Sequence, residues 1–465
     1  MFVNQNSNLF RSLNHNFEGN MCYYLCEKEH NMENKLKELV KVQKEGKQIG
    51  IYSACSANPF VIEAVLLRGK KDNACVLIES TANQCDQFGG YTGKKPKDFK
   101  NDVYDIAKKI GFDTEKLFLG GDHLGPLTFA KYDEDKAMSL AKDLIKEYVS
   151  AGFTKIHIDT SMKVASDPQN ERLSDETIAK RGAMLAKVAE DTYQELLKTN
   201  KDAPHPVYVV GSEVPIPGGS TDNNNNLQVT KPEDMKKTVE SFKKIFYEAG
   251  LQQAWENVIA IVVQPGIEEK DDGCVEYDRD KARDLMASIK EYDNLIFEGH
   301  STDYQTKYKL RELVEDGVGI LKVGPALTYG LREGLYSLSF IEDELIDADK
   351  RSNVRDELDK AMLSNPVHWQ KHYHGTDEEI ALKRKYSFSD RSRYYYANDN
   401  VSKAIDVLFD NLKCGVSLSL LSQFMPVQYT KVREKTINND PKSLVLDKID
   451  NVISDYIYAT QQEKL

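Results

Sequence analysis

Eight short apolar runs, each trailed by a stretch of helical spacing, restrict this 465-residue chain more than anything else in it. They lie at residues 49–55 (IGIYSAC), 74–80 (ACVLIES), 117–126 (LFLGGDHLGP), 155–161 (KIHIDTS), 207–214 (VYVVGSEV), 258–265 (VIAIVVQP), 294–300 (NLIFEGH) and 319–325 (GILKVGP). Runs of this length, rich in Val, Ile and Leu, read as strands buried on both faces. Between them the spacing predicts helices. One precedes the first strand at 31–47, one opens at Ser56-Ala57-Asn58-Pro59 and runs to Leu67, and others span 96–110, 134–151, 175–199, 231–250 and 279–292. Strand and helix alternating eight times predict an α/β fold, a (β/α)₈ TIM barrel. No GxGxxG follows the first strand, which argues against a dinucleotide fold and a nucleotide cofactor.

The rest of the chain sets the boundaries. Residues 1–30 are Asn-rich and aperiodic and read as a disordered leader, with a transit peptide the weaker reading. The barrel is expected over 31–330. Residues 331–465 read as a helical extension packed on it, carrying the NPVHW, YSFSDRSRYYY and LLSQFMP clusters and an expected oligomer contact. A formal charge of -12 argues against nonspecific nucleic-acid binding. No apolar run approaches the roughly 20 residues of a membrane span. The 7 cysteines are scattered, and Cys22 and Cys26 form the one close pair with no second pair to complete a zinc ribbon. An odd, scattered set without a signal peptide suggests reduced thiols and a cytoplasmic location.

In a barrel, chemistry gathers where strands end at the carboxyl face. Every predicted strand here ends in polar residues: Ser53, Cys55 and Ser56; Glu79 and Asn83; Asp122 and His123; His157 and Asp159; Glu213; Gln264; Glu298, His300 and Asp303; Lys322. His123, Glu213 and His300 are the candidate ligands for a divalent metal, because strands three, five and seven share one parity of a barrel. Asp122, Glu213, Glu79 and Asp159 are the candidate acid–base groups. Ser53, Asn83, Gln87, Gln264, Glu298, Ser301, Asp303 and Lys322 are the candidate substrate contacts. Lys322 reads as a partner of carboxylates or phosphate more than as a Schiff-base amine. His157, in mid-strand, reads as structural. The Gly- and amide-rich loop from Gln87 to Gly93 reads as a ligand loop.

Several longer motifs carry a resemblance: GIYSACSANP, LIESTANQCDQFGGYTG, LGGDHLGP, GSEVPIPGG, VVQPG, FEGHSTDYQ, LKVGPALT, YSFSDRSRYY and LLSQFMPVQY. In order, from about Gly50 to the last helix, they resemble the Z, or non-catalytic, subunit family of D-tagatose-1,6-bisphosphate aldolase. The resemblance implies a TIM barrel related to class II aldolases. It implies a supporting role beside a class II aldolase catalytic (Y) subunit, in tagatose 6-phosphate, galactitol or N-acetylgalactosamine catabolism. The alternative it implies is a stand-alone, metal-dependent ketohexose-phosphate enzyme, a 4-epimerase or an aldolase, using Zn, Mn, Co or Mg. In class II aldolases the Asp-His pair supplies an acid/base and a metal ligand, and that carries over to Asp122 and His123 alone.

Overall fold

A computed structural model describes residues 34–212 and 227–465. Eight parallel strands close into a barrel: β1 (Ile51–Cys55), β2 (Val76–Thr81), β3 (Leu117–Leu124), β4 (Lys155–Ile158), β5 (Val207–Val210), β6 (Val258–Val263), β7 (Ile296–Gly299) and β8 (Val318–Val323). Each pairs with its sequence neighbours, and β8 returns to β1. Helices follow the strands, as expected from their periodicity; 96–110 and 134–151 have the expected bounds. β4 and β5 stop at Ile158 and Val210, short of their predicted ends; past β4, Asp159 bonds His123 and Thr160 donates to the Ile178 carbonyl. A two-stranded hairpin, Glu268–Lys270 with Gly273–Val275, follows β6 and has no counterpart in the sequence expectation.

Alternation sorts each strand into two faces. Val76, Ile78, Ile156, Ile158, Phe297 and Leu321 join the main core between the barrel and its surrounding helices. Ile51, Leu77, Phe118, Val207, Val209, Ile296 and Ile320 form a second, inner cluster. The helix Leu36–Lys44 lays Leu36, Leu39 and Val40 against that cluster and closes the amino-terminal end of the barrel. The barrel floor is therefore apolar and plugged. The inward positions one step further along the strands are polar, which concentrates chemistry at the carboxyl mouth.

After β8 the chain enters the helix Pro325–Leu345 and continues through shorter helices to the long Pro441–Thr460 helix. The last helix packs on Pro325–Leu345, on the helix Pro59–Asp72 and on the helix Lys307–Glu315. Gln462 ties the tail to the barrel, its Oε1 accepting from the Tyr52 N–H at 3.1 Å and its Nε2 donating to the Cys75 carbonyl at 2.7 Å. Among the described residues no helix is long and apolar enough to cross a membrane. The leader, Cys22, Cys26 and Glu213 lie outside the described residues.

Candidate functional site

Above the apolar floor the inward positions carry charge. The Lys155 ammonium lies 2.6 Å from Glu79 Oε1 and 2.7 Å from Glu298 Oε2, with all three side chains fully buried. Lys322 lies 2.7 Å from Glu79 Oε2 and 3.9 Å from Glu298 Oε1, and also pairs with Asp122. Burial alone would strip the proton from each lysine, but the surrounding carboxylates hold both above their ordinary values. Lys322 is thus a committed cation, unlike a Schiff-base lysine, which must offer a free amine. Room for Glu79 comes from Gly120 next door on β3, where a Cβ would sit 2.6–2.8 Å from the Glu79 carboxyl group.

One layer higher, three histidines converge. The rings of His123, His157 and His300 stand 5.1 Å apart, centroid to centroid, in every pairing. Asp122 and His123 are adjacent in sequence, yet both face the cavity. The β3–β4 register shifts between Gly121 and Leu124, and His123 takes φ +50°, a conformation L-residues rarely hold. Such a bulge re-aims a side chain that regular pleating would send outward. Further on, Gly125 passes so close to β4 that a Cβ there would overlap the Asp159 carbonyl oxygen.

Each histidine is held by a carboxylate. His123 Nδ1 is 2.8 Å from Asp159 Oδ2, His157 Nδ1 is 2.8 Å from Asp122 Oδ1, and His300 Nε2 is 2.9 Å from Glu298 Oε1. A ring nitrogen facing a carboxylate carries the proton, so the other nitrogen keeps its lone pair. That leaves Nε2 of His157 and Nδ1 of His300 as the bare nitrogens, while His123 Nε2 faces Asp122 Oδ2 at 3.7 Å. Burial and the Lys322 charge depress His300 to about 3, so it is neutral at any working pH. Burial would lower His123 too, but Asp122 and Asp159 hold it above its ordinary value. Asp122 resists the upward push of burial and lies well below the carboxylate range, because His123, Lys322 and His157 surround it.

The cavity above this layer brings together Asn83, Asp122, His123, His300, Ser301, Asp303 and Lys322 of the residues expected from sequence. Ser53, Glu79 and Glu298 lie beneath it in the charged layer, fully buried. Asp159 lies behind His123, which it anchors. Gln87 is not brought to the cavity; its amide donates to the Leu140 carbonyl at 3.0 Å. Gln264 is not brought there either, because its Oε1 accepts from the Gly266 and Ile267 N–H groups and closes a turn. His157, expected to be structural, joins the cluster: β4 alternates Lys155, His157 inward against Ile156, Ile158 outward, and that alternation was visible in KIHIDTS.

Other lining residues come from segments the strand-end argument never reached. Tyr91 belongs to the loop after β2, Glu269 to the hairpin, and Arg393 and Tyr394 to the C-terminal extension. Glu269 is 3% exposed, its Oε2 has no hydrogen-bond partner among the described residues, and burial pushes its carboxyl group above the ordinary range. Asp303 accepts N–H bonds from Gly324 at 3.0 Å and Ala326 at 2.8 Å. Burial, reinforced by Glu269, still lifts it to about 7.

Whether these residues suit a metal can be judged from one atom. Among the described residues His157 Nε2 is buried without a hydrogen-bond partner, an arrangement that costs free energy unless something occupies it. One donor atom each from Asp122, His157, Glu298 and His300 lie within 4.8 Å of one another. Imidazoles fixed by carboxylates are how proteins orient nitrogen ligands, and a mixed N/O donor set with an open face fits a divalent cation.

Fold and site together define a (β/α)₈-barrel protein with a buried, metal-competent polar centre at the carboxyl mouth. Comparison with known proteins refines this. The family model described as "D-tagatose-1,6-bisphosphate aldolase subunit GatZ/KbaZ-like" matches residues 36–461, and the chain belongs to that family, the non-catalytic subunit of tagatose-bisphosphate aldolase. The chain is similar to a Sinorhizobium meliloti 1021 protein described as a probable tagatose 6 phosphate kinase, at 43% identity and a TM-score of 0.81, over 88% of this chain and 100% of that one. It also matches the YdjI aldolase of Escherichia coli K12, at 10% identity and a TM-score of 0.39, over 81% of this chain and 97% of that one. The fructose-bisphosphate aldolase of Campylobacter jejuni matches at 16% identity and 0.40, over 82% and 94%. Likeness at those last two levels carries no functional weight.

Proposed function

We propose that this chain works beside a class II aldolase catalytic subunit in the breakdown of tagatose 1,6-bisphosphate, and that its own barrel mouth binds a ketohexose phosphate and a divalent metal. The observation that carries the second half is the histidine cluster. A barrel that only props up a partner has no need of three carboxylate-tethered imidazoles gathered within 5.1 Å of one another. His157 and His300 would hold the metal with Asp122 and Glu298, and His123 stands at the third corner. Nitrogen donors in that set favour Zn, Co or Mn over Mg. When bound, such an ion polarises the ketone of a sugar phosphate. The chain's own residues do the rest. Lys155 and Lys322 hold Glu79 and Glu298 in place. Asp159 sets the His123 tautomer. Asp303, lifted to about 7, and Glu269, raised by burial above its ordinary range, can take or give a proton at the cavity wall.

The same cluster favours a second reading, in which the chain turns over a ketose phosphate by itself as a 4-epimerase or aldolase. One experiment separates the two. The purified chain is stripped of metal, reloaded with Zn²⁺, Mn²⁺, Co²⁺ or Mg²⁺, and assayed alone and with a class II aldolase chain. The assays follow triose-phosphate release from tagatose 1,6-bisphosphate and interconversion of fructose 6-phosphate with tagatose 6-phosphate. Silence alone and a gain on mixing supports the accessory role. Metal-dependent turnover by the chain alone supports the second reading. Neither activity under any condition overturns both. On the same reading the protein works in the cytoplasm.

A further inference from the structure

A ketose phosphate brings a dianion into the cavity, and the cations there are few. Lys322 lines the cavity, but it already faces Glu79, Asp122 and Glu298. His300 is held neutral. Arg393 is differently placed. Its guanidinium donates to the Ser389 and Asp390 carbonyls and, at 3.2 Å, to the Tyr394 hydroxyl. These acceptors are neutral, and among the described residues no carboxylate lies within ion-pair distance of it. Glu269 and Asp303 share the cavity wall and feel its charge, but neither pairs with it.

The chain holds Arg393 there deliberately. Asp390 sits at φ +39°, in the left-handed region, at the start of the turn Arg391–Tyr395. Its carboxylate accepts from Thr328 Oγ1 and Ser392 Oγ, both at 2.6 Å, and pairs with Arg332 at 3.4 Å. Thr328 and Arg332 belong to the helix that leaves β8. A strained turn is therefore pinned to the barrel so that residue 393 reaches its mouth. Tyr394 is packed between the His368 ring, stacked at 4.5 Å, and the edge of Tyr91, also at 4.5 Å. Burial would raise its hydroxyl pKa, yet Arg393 and Arg391 hold it below the ordinary value, the mark of positive potential at this wall.

A second cavity opens on the far side of the same residues. It shares Cys55, Gln84, Tyr91, Arg393 and Tyr394 with the first and continues past Ser56 to Lys94. Lys94 is committed to Asp102 there, and the acidic residues Asp399 and Asp406 line its outer part. Arg393 stands at the junction, the one cation shared by both spaces without a carboxylate of its own.

We propose that Arg393, delivered by the C-terminal extension, anchors the phosphate group of the sugar-phosphate ligand, its planar fork meeting phosphate oxygens as guanidinium does best. The inference rests on reading the mouth as a ketose-phosphate site. It makes the extension part of the binding site.

The test titrates the full, metal-loaded chain calorimetrically with fructose 6-phosphate and with unphosphorylated fructose, for the wild type, Arg393→Met and Arg393→Lys. Arg393→Met is expected to weaken fructose 6-phosphate by about 10- to 100-fold, the worth of a charged hydrogen-bonding pair. It should leave fructose within about twofold, and Arg393→Lys should recover part of the loss. If the wild type prefers the phosphorylated sugar and Arg393→Met keeps that preference, the anchor is elsewhere and the site reading survives. If the wild type shows no preference, the site reading itself falls and the proposal with it. A measurement on the unaltered protein guards against a variant that does not fold. Inorganic phosphate should shield Arg393 from phenylglyoxal, read by peptide mass spectrometry, and modification at an undiminished rate overturns the proposal.

Discussion

Asp122 Oδ1 and His157 Nδ1 are 2.8 Å apart, and that bond decides which ring nitrogen keeps its lone pair. The same nitrogen lies 3.2 Å from the His123 N–H, but it cannot donate and accept at once. The shorter, charged contact wins, because hydrogen bonds to an ionised acceptor are roughly twice as strong as neutral ones. His157 is therefore protonated at Nδ1 and bare at Nε2, where no hydrogen-bond partner among the described residues meets it.

His157→Ala should weaken binding of Co²⁺ or Zn²⁺ by at least about tenfold, the lower end of what even outer partners of a metal contribute. His205 supplies the control. It is equally buried, but both nitrogens are used, by the Pro206 carbonyl at 2.7 Å and Glu190 at 3.1 Å. His205→Ala should lower stability and leave metal affinity unchanged. Equal metal affinity in the two variants, read by Co²⁺ absorption and calorimetry, would remove His157 from the site.

Lys155 is the second residue to change. It separates Glu79 from Glu298 in a fully buried layer, so Lys155→Met leaves Lys322 alone against three carboxylates. Removing one partner of a buried ionic set typically costs about 3–5 kcal/mol, since an uncompensated charge remains. Denaturant unfolding should show a loss of that order. A loss under about 1 kcal/mol would mean that the layer is hydrated or that its carboxyl groups are already protonated.

How far the site was legible follows from the same residues. The eight strands were readable because a buried parallel strand is a short, continuous run of β-branched residues, and Asp122, His123, His300 and Lys322 were readable as its polar endings. Strand ends such as that of β4 were overrun, because Asp159 and Thr160 look like strand but bond to His123 and to the Ile178 carbonyl. His157 was passed over because it was judged by its place in the run and not by alternation with Ile156 and Ile158. Gln87 and Gln264 look like ligand groups, but each amide is consumed by backbone. Glu269 and Arg393 carried no local signal at all. A hairpin and a strained turn bring them to the mouth from 146 and 71 residues beyond His123 and Lys322, and only packing shows that.

The Gly125 crossing gives a backbone test. An ideal Cβ there would lie 1.7 Å from the Asp159 carbonyl oxygen, so Gly125→Ala must push β3 and β4 apart. Overpacking of this kind costs about 1–3 kcal/mol or more. Because Asp159 holds His123, metal affinity should fall with thermal stability. An alanine variant with wild-type melting temperature would mean that the mouth is looser than this packing.

Asp303 sets a pH dependence whose sign can be worked out. Its folded value, about 7, lies above the roughly 3.9 of an unfolded aspartate, with burial the first cause and Glu269 the second. Between those values the folded chain holds a proton that the unfolded chain has lost. The contribution is therefore whole below about pH 4 and disappears as pH climbs through 7. An asparagine keeps an oxygen for the Gly324 and Ala326 N–H groups and never ionises. Asp303→Asn should thus gain on the wild type by about 2–4 kcal/mol between pH 4.5 and 8, three pKa units at most. Glu269→Gln, by removing the neighbouring acid, should bring part of the same gain with Asp303 intact. Urea unfolding at the two pH values reads both effects. Parallel stability curves for wild type and Asp303→Asn would show that Asp303 is already ionised in the folded chain.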